Sequence, residues 1–364
     1  MLREREPPLR QVGGTGSYVC VFTNRSARIT AYPPWTLADS SACRRGNYKM
    51  NRTFQLPRII QAPIGGLATV ELAAAVSNAG GLGSLALTWT DANAAAGMVA
   101  AMRTRTMAPF ASNFVLSFEP VALAAVLEAG VPVVTFSWGL PGPFVAMVHS
   151  FGAAVGIQVG TVEGAKRALD QDCDFLICQG IEAGGHVQSS IPLRVLLAAV
   201  MVEASGVPVA AAGGLAERAD VLEVTTLGAS AAMLGTRFIA STESCAHPAY
   251  KALLLASKST DTVLTGCFDG SWPYALHRVL RNATLTRWED AGCPPSGRRP
   301  GEGDVVARQR NGATLIRYSD DSPTADMRGD IMDCCLYAGC GVGKINAVRP
   351  AGEIVKELLA DTPE

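Results

Sequence analysis

The residue best suited to acid–base chemistry is His186, which ends the glycine-rich segment Cys178–His186. An imidazole titrates near neutral pH, so it can move a proton or hydrogen-bond a reacting group. Glu182 lies in the same segment, and we interpret it as a solvated loop carboxylate rather than an acid or a cofactor partner. The remaining histidines have weaker contexts, one in a predicted helix and two near the end of the chain. We therefore predict that His186 is catalytic, with a structural role in holding its loop as the alternative.

Two further turns have the composition of a phosphate site. Gly213-Gly214 and Gly235-Thr236-Arg237 each follow a short apolar run. Glycines let backbone N–H groups approach a phosphate closely, and the start of the following helix adds positive potential. Each turn alone is also explained as a tight connection between strand and helix. Because two successive turns carry the pattern, we predict a phosphate cradle.

Other nucleotide and catalytic motifs are excluded by their context. Gly81–Ala86 fits G-x-G-x-x-A, but it follows a helix and leads into a strand, which is the reverse of a dinucleotide-binding motif. Gly343-Lys344 lacks the first glycine and the final hydroxyl residue of a phosphate loop. Serine-hydrolase elbows and H-E-x-x-H pairs are absent from the sequence. Cys334, Cys335 and Cys340 have no C-x-x-C spacing or nearby histidine, so we expect no metal site.

The elements that position these residues alternate between short β-branched runs and Ala/Leu-rich helical stretches. Each candidate residue lies at or just after the end of a run, as in barrel enzymes. We therefore predict an α/β fold of the (β/α)8 TIM barrel type, with an open doubly wound sheet as the alternative. The predicted strands are Arg58–Ile64, Leu82–Leu87, Phe110–Val115, Val131–Ser137, Ala154–Val159, Phe175–Gln179, Val207–Ala212 and Ala231–Leu234. The predicted helices include Val70–Ala79, Ala92–Met102, Val121–Ala129, Val162–Asp170, Leu193–Ala204 and Glu217–Leu227.

The flanking segments differ from this repeat in composition. Residues 1–50 are rich in Gly, Pro, Arg and Ser, and we interpret them as a poorly ordered leader or a misassigned start, with organelle targeting as an alternative. Residues 51–240 form the predicted barrel. Residues 241–364 combine helical patterns with Pro/Gly-rich loops, and we expect a helical segment that caps the barrel mouth.

Composition limits the classes of partner. With 31 basic and 32 acidic residues, the chain has no single-sign field for nucleic acid or an anionic membrane. Apolar runs such as Val195–Val202 are far shorter than the roughly 18 residues of a membrane span. Ten scattered cysteines in a chain of 364 residues indicate reduced thiols and a cytoplasmic location rather than a disulfide scaffold. We expect a small-molecule substrate, with a homodimer as the candidate assembly.

The chain resembles the nitronate monooxygenase family from about Arg58 to Leu359. The resemblance is carried by Cys178–His186, Ala212–Gly214, Leu234–Ser241 and Tyr337-Ala338-Gly339. It implies an FMN-dependent barrel enzyme that oxidises alkyl nitronates, such as propionate 3-nitronate, with O2 to a carbonyl compound and nitrite. It also implies that His186 faces the flavin, as a base toward a nitroalkane or a hydrogen-bond partner of a nitronate. The implied flavin contacts are Pro63, Ile64, Asn113, Gln179, Gly184, Gly213, Gly214, Met233, Leu234, Gly235 and Thr236.

Two departures from the family pattern limit this transfer. The better characterised family members carry a longer insertion between the third and fourth strands, whereas here the connection from Phe114 to Val131 is short. The family often has a glutamine after Tyr-Ala-Gly, and here Cys340 takes that position. The same barrel pattern resembles FMN-dependent quinone reductases and enoyl-acyl carrier protein reductases, which use NAD(P)H. A flavin-binding protein without turnover is the third hypothesis.

Overall fold

A closed parallel barrel lies at the centre of the computed structural model, which describes residues 54–360. Its eight strands are β1 (Ile59–Gln61), β2 (Gly83–Ala86), β3 (Phe110–Val115), β4 (Val133–Ser137), β5 (Ala154–Val159), β6 (Phe175–Gln179), β8 (Val209–Ala212) and β9 (Ala231–Leu234). In the described residues they have the order β1-β9-β8-β6-β5-β4-β3-β2. The first and last strands of this order join through Leu82, whose N–H donates to Ile59 O (2.8 Å) and whose carbonyl accepts from Gln61 N (3.0 Å). The (β/α)8 prediction is confirmed, and an open sheet is excluded. The short strand β7 (Gly185–His186) lies outside this sheet.

The helices alternate with the barrel strands as predicted. Thr69 caps α1, since its hydroxyl accepts from Leu72 N at 2.9 Å, and Gly80 follows with a φ of 91°. Phe144–Ser150 forms the helix between β4 and β5, and it contains His149, the histidine that we expected in a helix. No helix in residues 54–360 has the length and apolar character needed to cross a membrane. The helices are α1 (Val70–Asn78), α2 (Ala92–Arg105), α3 (Leu123–Glu128), α4 (Phe144–Ser150), α5 (Val162–Leu169), α6 (Leu193–Glu203) and α7 (Arg218–Thr226).

The outer helical layer is completed by the end of the chain. After β9 comes only a four-residue helix, α8 (Thr236–Ile239). The amphipathic helix α11 (Ala351–Leu359) instead packs against α1 and α7, and its buried side chains join the core between the strands and the helices. The barrel therefore needs residues far beyond 240, where we expected it to end. Residues 1–50, the predicted leader, lie outside the described residues.

The segment between α8 and α11, which we call the cap, covers the barrel mouth. We expected this segment to be helical, but it contains strands as well as helices. In the described chain its five strands, together with β7, form two three-stranded sheets, β10-β11-β7 and β13-β12-β14. In the first sheet β7 pairs with β11, with His186 opposite His277, which ties the loop after β6 to the cap. The elements are α9 (Pro248–Ala256), β10 (Thr262–Thr265), β11 (His277–Leu280), α10 (Ala283–Asp290), β12 (Val305–Arg308), β13 (Thr314–Ile316) and β14 (Arg328–Gly329).

The packing of the first helix on the barrel can be tested by a substitution at Gly83. A Cβ at this position would lie 1.9 Å from the backbone oxygen of Ala73 in α1. We expect Gly83→Ala to lower the free energy of unfolding by about 3 kcal/mol, because α1 must move away from β2. The control is Gly97→Ala in the exposed face of α2, where a Cβ meets nothing within 4 Å. It should raise stability by about 0.5–1 kcal/mol. Urea unfolding midpoints measure both, and a Gly83→Ala protein as stable as the wild type would contradict the packing argument.

Candidate active site

A cavity of about 780 Å³ opens at the carboxyl ends of the barrel strands. This volume lies within the range of roughly 300–1,000 Å³ that small-molecule sites have. All but one of the predicted site residues line it. The exception is Leu234, whose side chain packs in the core between strands and helices because successive side chains of a strand point to opposite faces. The predicted residues that line the cavity are Pro63, Ile64, Asn113, Gln179, Gly184, His186, Gly213, Gly214, Met233, Gly235 and Thr236.

Unpaired backbone amides cluster in the turns after β8 and β9. The N–H groups of five cavity-lining residues donate to no acceptor among residues 54–360. Gly213 and Gly214 have φ values of 124° and 69°, which side chains with a Cβ rarely adopt. Free amides grouped in this way bind phosphate or another anion. The five residues are Gly213, Gly214, Leu215, Gly235 and Thr236.

His186 lines this cavity, and neither of its ring nitrogens is hydrogen-bonded to a described residue. Its Nε2 is buried and has no hydrogen-bond partner among the described residues. Its ring centroid lies 4.3 Å from that of Trp272 and 5.7 Å from that of Tyr337. Burial, and then the neighbouring His277, lower the pKa of His186 to about 3. The imidazole is therefore neutral near pH 7 and can form a hydrogen bond to a ligand through Nε2.

The neighbouring His277 has a structural role. Its Nε2 accepts from Phe268 N (3.1 Å), so its Nδ1 carries the proton and donates to Ala275 O (2.9 Å). Burial lowers the pKa of this histidine as well. Its ring lies 5.4 Å from that of His186, centroid to centroid. We had placed His277 only in the tail of the sequence, and the β7–β11 pairing brings it against the candidate catalytic residue.

Two side-chain amides brace the loops around the cavity. Gln179 Oε1 accepts from Gln188 N (2.8 Å), and its Nε2 donates to His186 O (3.1 Å). Asn113 Nδ2 donates to the backbone oxygen and the hydroxyl of Thr135, at 3.2 and 3.1 Å. Asn113 Oδ1 accepts from no described residue, so it remains free to accept from a ligand. Gln179 thus holds the His186 loop in place.

Glycine allows the segment after Tyr337 to pack directly on these loops. A Cβ on Gly184 would lie 2.5 Å from Gly339 N, and one on Gly341 would lie 2.5 Å from Gly214 O. Gly339 N also donates to the hydroxyl of Thr236 at 3.0 Å. The chain end therefore supports the loops after β6, β8 and β9, a contact with no signal in the local sequence.

Glu182 is a positioning residue, and our interpretation of it as a solvated carboxylate is corrected. Its side chain accepts from Leu193 N at 2.9 and 3.2 Å, at the start of α6. A carboxylate is stabilised there by the unpaired amides and positive potential of a helix N-terminus. Its backbone oxygen accepts from Cys340 N at 2.9 Å. Cys340 thus makes its contact through the main chain.

Aromatic residues that the sequence analysis missed form one wall of the cavity. Trp89, Trp138 and Trp272 all line it, and the ring centroids of Trp138 and Trp272 lie 4.6 Å apart. Trp138 directly follows β4. Because the sites of barrel enzymes lie at the carboxyl ends of the strands, the sequence position of Trp138 is a signal that could have identified it. Trp272 comes from the cap, and no local pattern identifies it. Trp138 has a φ of 59°, a strained conformation that costs about 1–3 kcal/mol and is held by its surroundings.

The cap supplies the outer wall of the cavity. It contributes Thr314 and Leu315 of β13, together with Asp320 and Asp321. Within residues 54–360 no group of His, Cys, Asp and Glu side chains has the arrangement of a metal site.

Comparison with known proteins agrees with this architecture. The nitronate monooxygenase family model matches residues 49–123 and 118–361. A nitronate monooxygenase of Pseudomonas aeruginosa is 31% identical over 351 residues, covering 83% of this chain and 95% of that protein. A nitroalkane oxidase structure from Streptomyces ansochromogenes has a TM-score of 0.68 at 29% identity, covering 84% of this chain and 95% of its own. A FabK variant from Thermotoga maritima has a TM-score of 0.68 at 28% identity, covering 84% and 92%. The chain belongs to the nitronate monooxygenase family, and it is an oxidoreductase enzyme.

Proposed function

We propose that this enzyme binds FMN and oxidises alkyl nitronates with O2 to a carbonyl compound and nitrite. The observation that carries the proposal is the position of His186, a neutral imidazole with a free, buried Nε2, in the same cavity as the unpaired amides. An anion-binding cradle and an uncharged hydrogen-bonding group are what a flavin phosphate and a nitronate require. Membership of the family and the similarity to a nitroalkane oxidase support the same chemistry.

The residues of the cavity fit FMN. The amides of the Gly213–Leu215 turn and of Gly235 and Thr236 would hold its phosphate, because no Lys or Arg of the described chain lines the cavity. The free Oδ1 of Asn113 would accept a hydrogen bond from the flavin ring, and Pro63 and Ile64 would contact that ring. When bound, FMN supplies the two-electron acceptor and the reaction with O2.

His186 would orient the substrate rather than deprotonate it. A nitronate has already lost the proton on the carbon next to nitrogen, so its oxidation needs no base. A pKa of about 3 makes the buried imidazole a weak base at neutral pH. The tautomer with a proton on Nε2 donates to a nitronate oxygen, and this charge-assisted bond is strong in a site from which water is excluded. Of the two roles that the family resemblance implies, the structure favours the hydrogen-bond donor.

The cap would keep water from the reacting atoms. Trp272 is 8% exposed and lies against His186, while Tyr337 is held by its hydroxyl, which donates to Asp320 O at 2.8 Å. Both residues belong to the segment after the last barrel strand. A rigid apolar cover strengthens the electrostatic interactions beneath it.

A flavin reductase that uses NAD(P)H is the second candidate, favoured by the similarity to FabK. An anaerobic absorbance experiment separates the two. We expect propionate 3-nitronate or ethyl nitronate to bleach the bound flavin, and NADH to leave it oxidised. Rapid bleaching by NADH alone would assign the protein to the reductases. No bleaching by either donor would support a flavin-binding protein without turnover.

The phosphate cradle is tested at Gly214. We expect Gly214→Leu to lower the affinity for FMN by at least about 10-fold, because the side chain would fill the cradle and its Cβ would meet Glu182 Cβ at 3.0 Å. Gly152→Leu is the matched control. It has a similar φ, 75° against 69°, and a Cβ there meets nothing within 4 Å. Flavin content after purification and fluorescence titration with FMN measure the effect. A fully yellow Gly214→Leu protein would refute the cradle.

Removal of the His186 imidazole tests its role. We expect His186→Asn to retain FMN and to lower kcat/KM on preformed nitronate by about 10²-fold, the usual effect of losing one such donor. His247→Asn serves as the control, because His247 caps α9 by accepting from Ala249 N and asparagine can do the same. Since the imidazole is neutral above its pKa of about 3, the wild-type profile of kcat/KM should show no histidine ionisation between pH 6 and 9. An inflection near pH 6.5 that His186→Asn abolishes would establish a base instead.

A further inference from the structure

The part of the cavity next to His186 is aromatic. The Trp272 ring lies 4.3 Å from that of His186 and 5.4 Å from that of Phe118, centroid to centroid. Phe118 lies 5.2 Å from Trp89, which is 56% exposed. With Trp138 beside Trp272, these rings make a continuous row from His186 to the surface. A substrate whose reacting end is held by His186 Nε2 would extend its remaining atoms along this row.

The charges that line the cavity are all negative. Asp320 and Asp321 lie on the cap side, and no Lys or Arg side chain of residues 54–360 lines the space. The carboxylate of Asp320 is held in place by Ser271, whose hydroxyl donates at 2.8 and 2.9 Å and whose N–H donates at 3.2 Å. Burial raises the pKa of Asp320, and the hydrogen bonds from Ser271 act in the opposite direction. If Asp320 is neutral, the cavity still carries the negative charge of Asp321. No Lys or Arg side chain of residues 54–360 lines the cavity to balance that charge.

A carboxylate on the substrate would therefore lose hydration without gaining a cationic partner. It would enter a space with two carboxylates and no cationic side chain, where like charges repel more strongly than in water. An apolar or aromatic group would instead be buried against the tryptophan rings that line the cavity. The two effects favour the same kind of substrate.

We propose that this site selects nitronates with an uncharged apolar or aromatic substituent and discriminates against nitronates that also carry a carboxylate. This selectivity rests on the proposed function and narrows it. Propionate 3-nitronate, which has two negative charges, is then a poor substrate within the accepted class. Asp320, Asp321 and the aromatic row are the specificity-determining residues.

Kinetics on a matched pair of substrates test the proposal. We expect the holoenzyme to have a kcat/KM for butyl-1-nitronate at least about 10-fold above that for propionate 3-nitronate. Asp320→Asn with Asp321→Asn should raise kcat/KM for the carboxylated substrate relative to that for butyl-1-nitronate. Asp321→Asn alone, at an exposed position, should give part of the effect if the double variant does not fold. Glu128→Gln, exposed on α3, removes one negative charge elsewhere and should change neither value.

Binding gives a readout that does not depend on turnover. In calorimetric titrations of the holoenzyme, nitrobenzene should bind at least about 10-fold more tightly than 4-nitrobenzoate. Trp272→Leu should weaken nitrobenzene binding. A preference for propionate 3-nitronate or 4-nitrobenzoate would overturn the selectivity and leave the proposed function standing. Selective binding of nitrobenzene with no oxidation of any nitronate would support the selectivity and refute the proposed function.

Discussion

The backbone hydrogen bonds between β1 and β2 are the constraint on which the site depends. They close the sheet, so that the carboxyl ends of parallel strands meet around one rim. Closure places Pro63, which follows β1, in the same cavity as Ala86, which ends β2. An open sheet of the same strands would separate them by its full width. The fit of α1 against Gly83 supports the closure, because the helix backbone occupies the space of a side chain there.

The chain end imposes a second constraint on the same rim. Helix α11 takes the eighth position in the outer layer, and the segment before it passes over the loops that carry the site. Contacts between Gly184 and Gly339, and between Gly214 and Gly341, bring backbone against backbone without intervening side chains. The pairing of β7 with β11 fixes the His186 loop from the other side. The position of the candidate catalytic residue is thus decided jointly by the barrel and the cap.

The electrostatics of the cavity follow from the groups that line it. Backbone amides supply positive potential through dipoles, His186 is neutral, and the formal charges are the carboxylates of Asp320 and Asp321. An anion is therefore stabilised by backbone amides and uncharged side-chain donors rather than by a cation. This arrangement suits one phosphate and one nitronate, and it gives a second substrate charge no favourable position. The aromatic row provides the burial that the missing cation does not.

The sequence by itself determined the repeating strands and helices and the glycine turns, and it singled out His186 as a candidate. These features have local signatures, since periodicity, caps and positive-φ glycines depend on neighbouring residues. Only the tertiary structure decided that Leu234 faces the helices, that Glu182 caps α6, and that Trp272 and Asp320 reach the cavity. These positions result from packing between segments far apart in the chain, where the free energy of burial and backbone pairing selects the partner. No local pattern records such a choice.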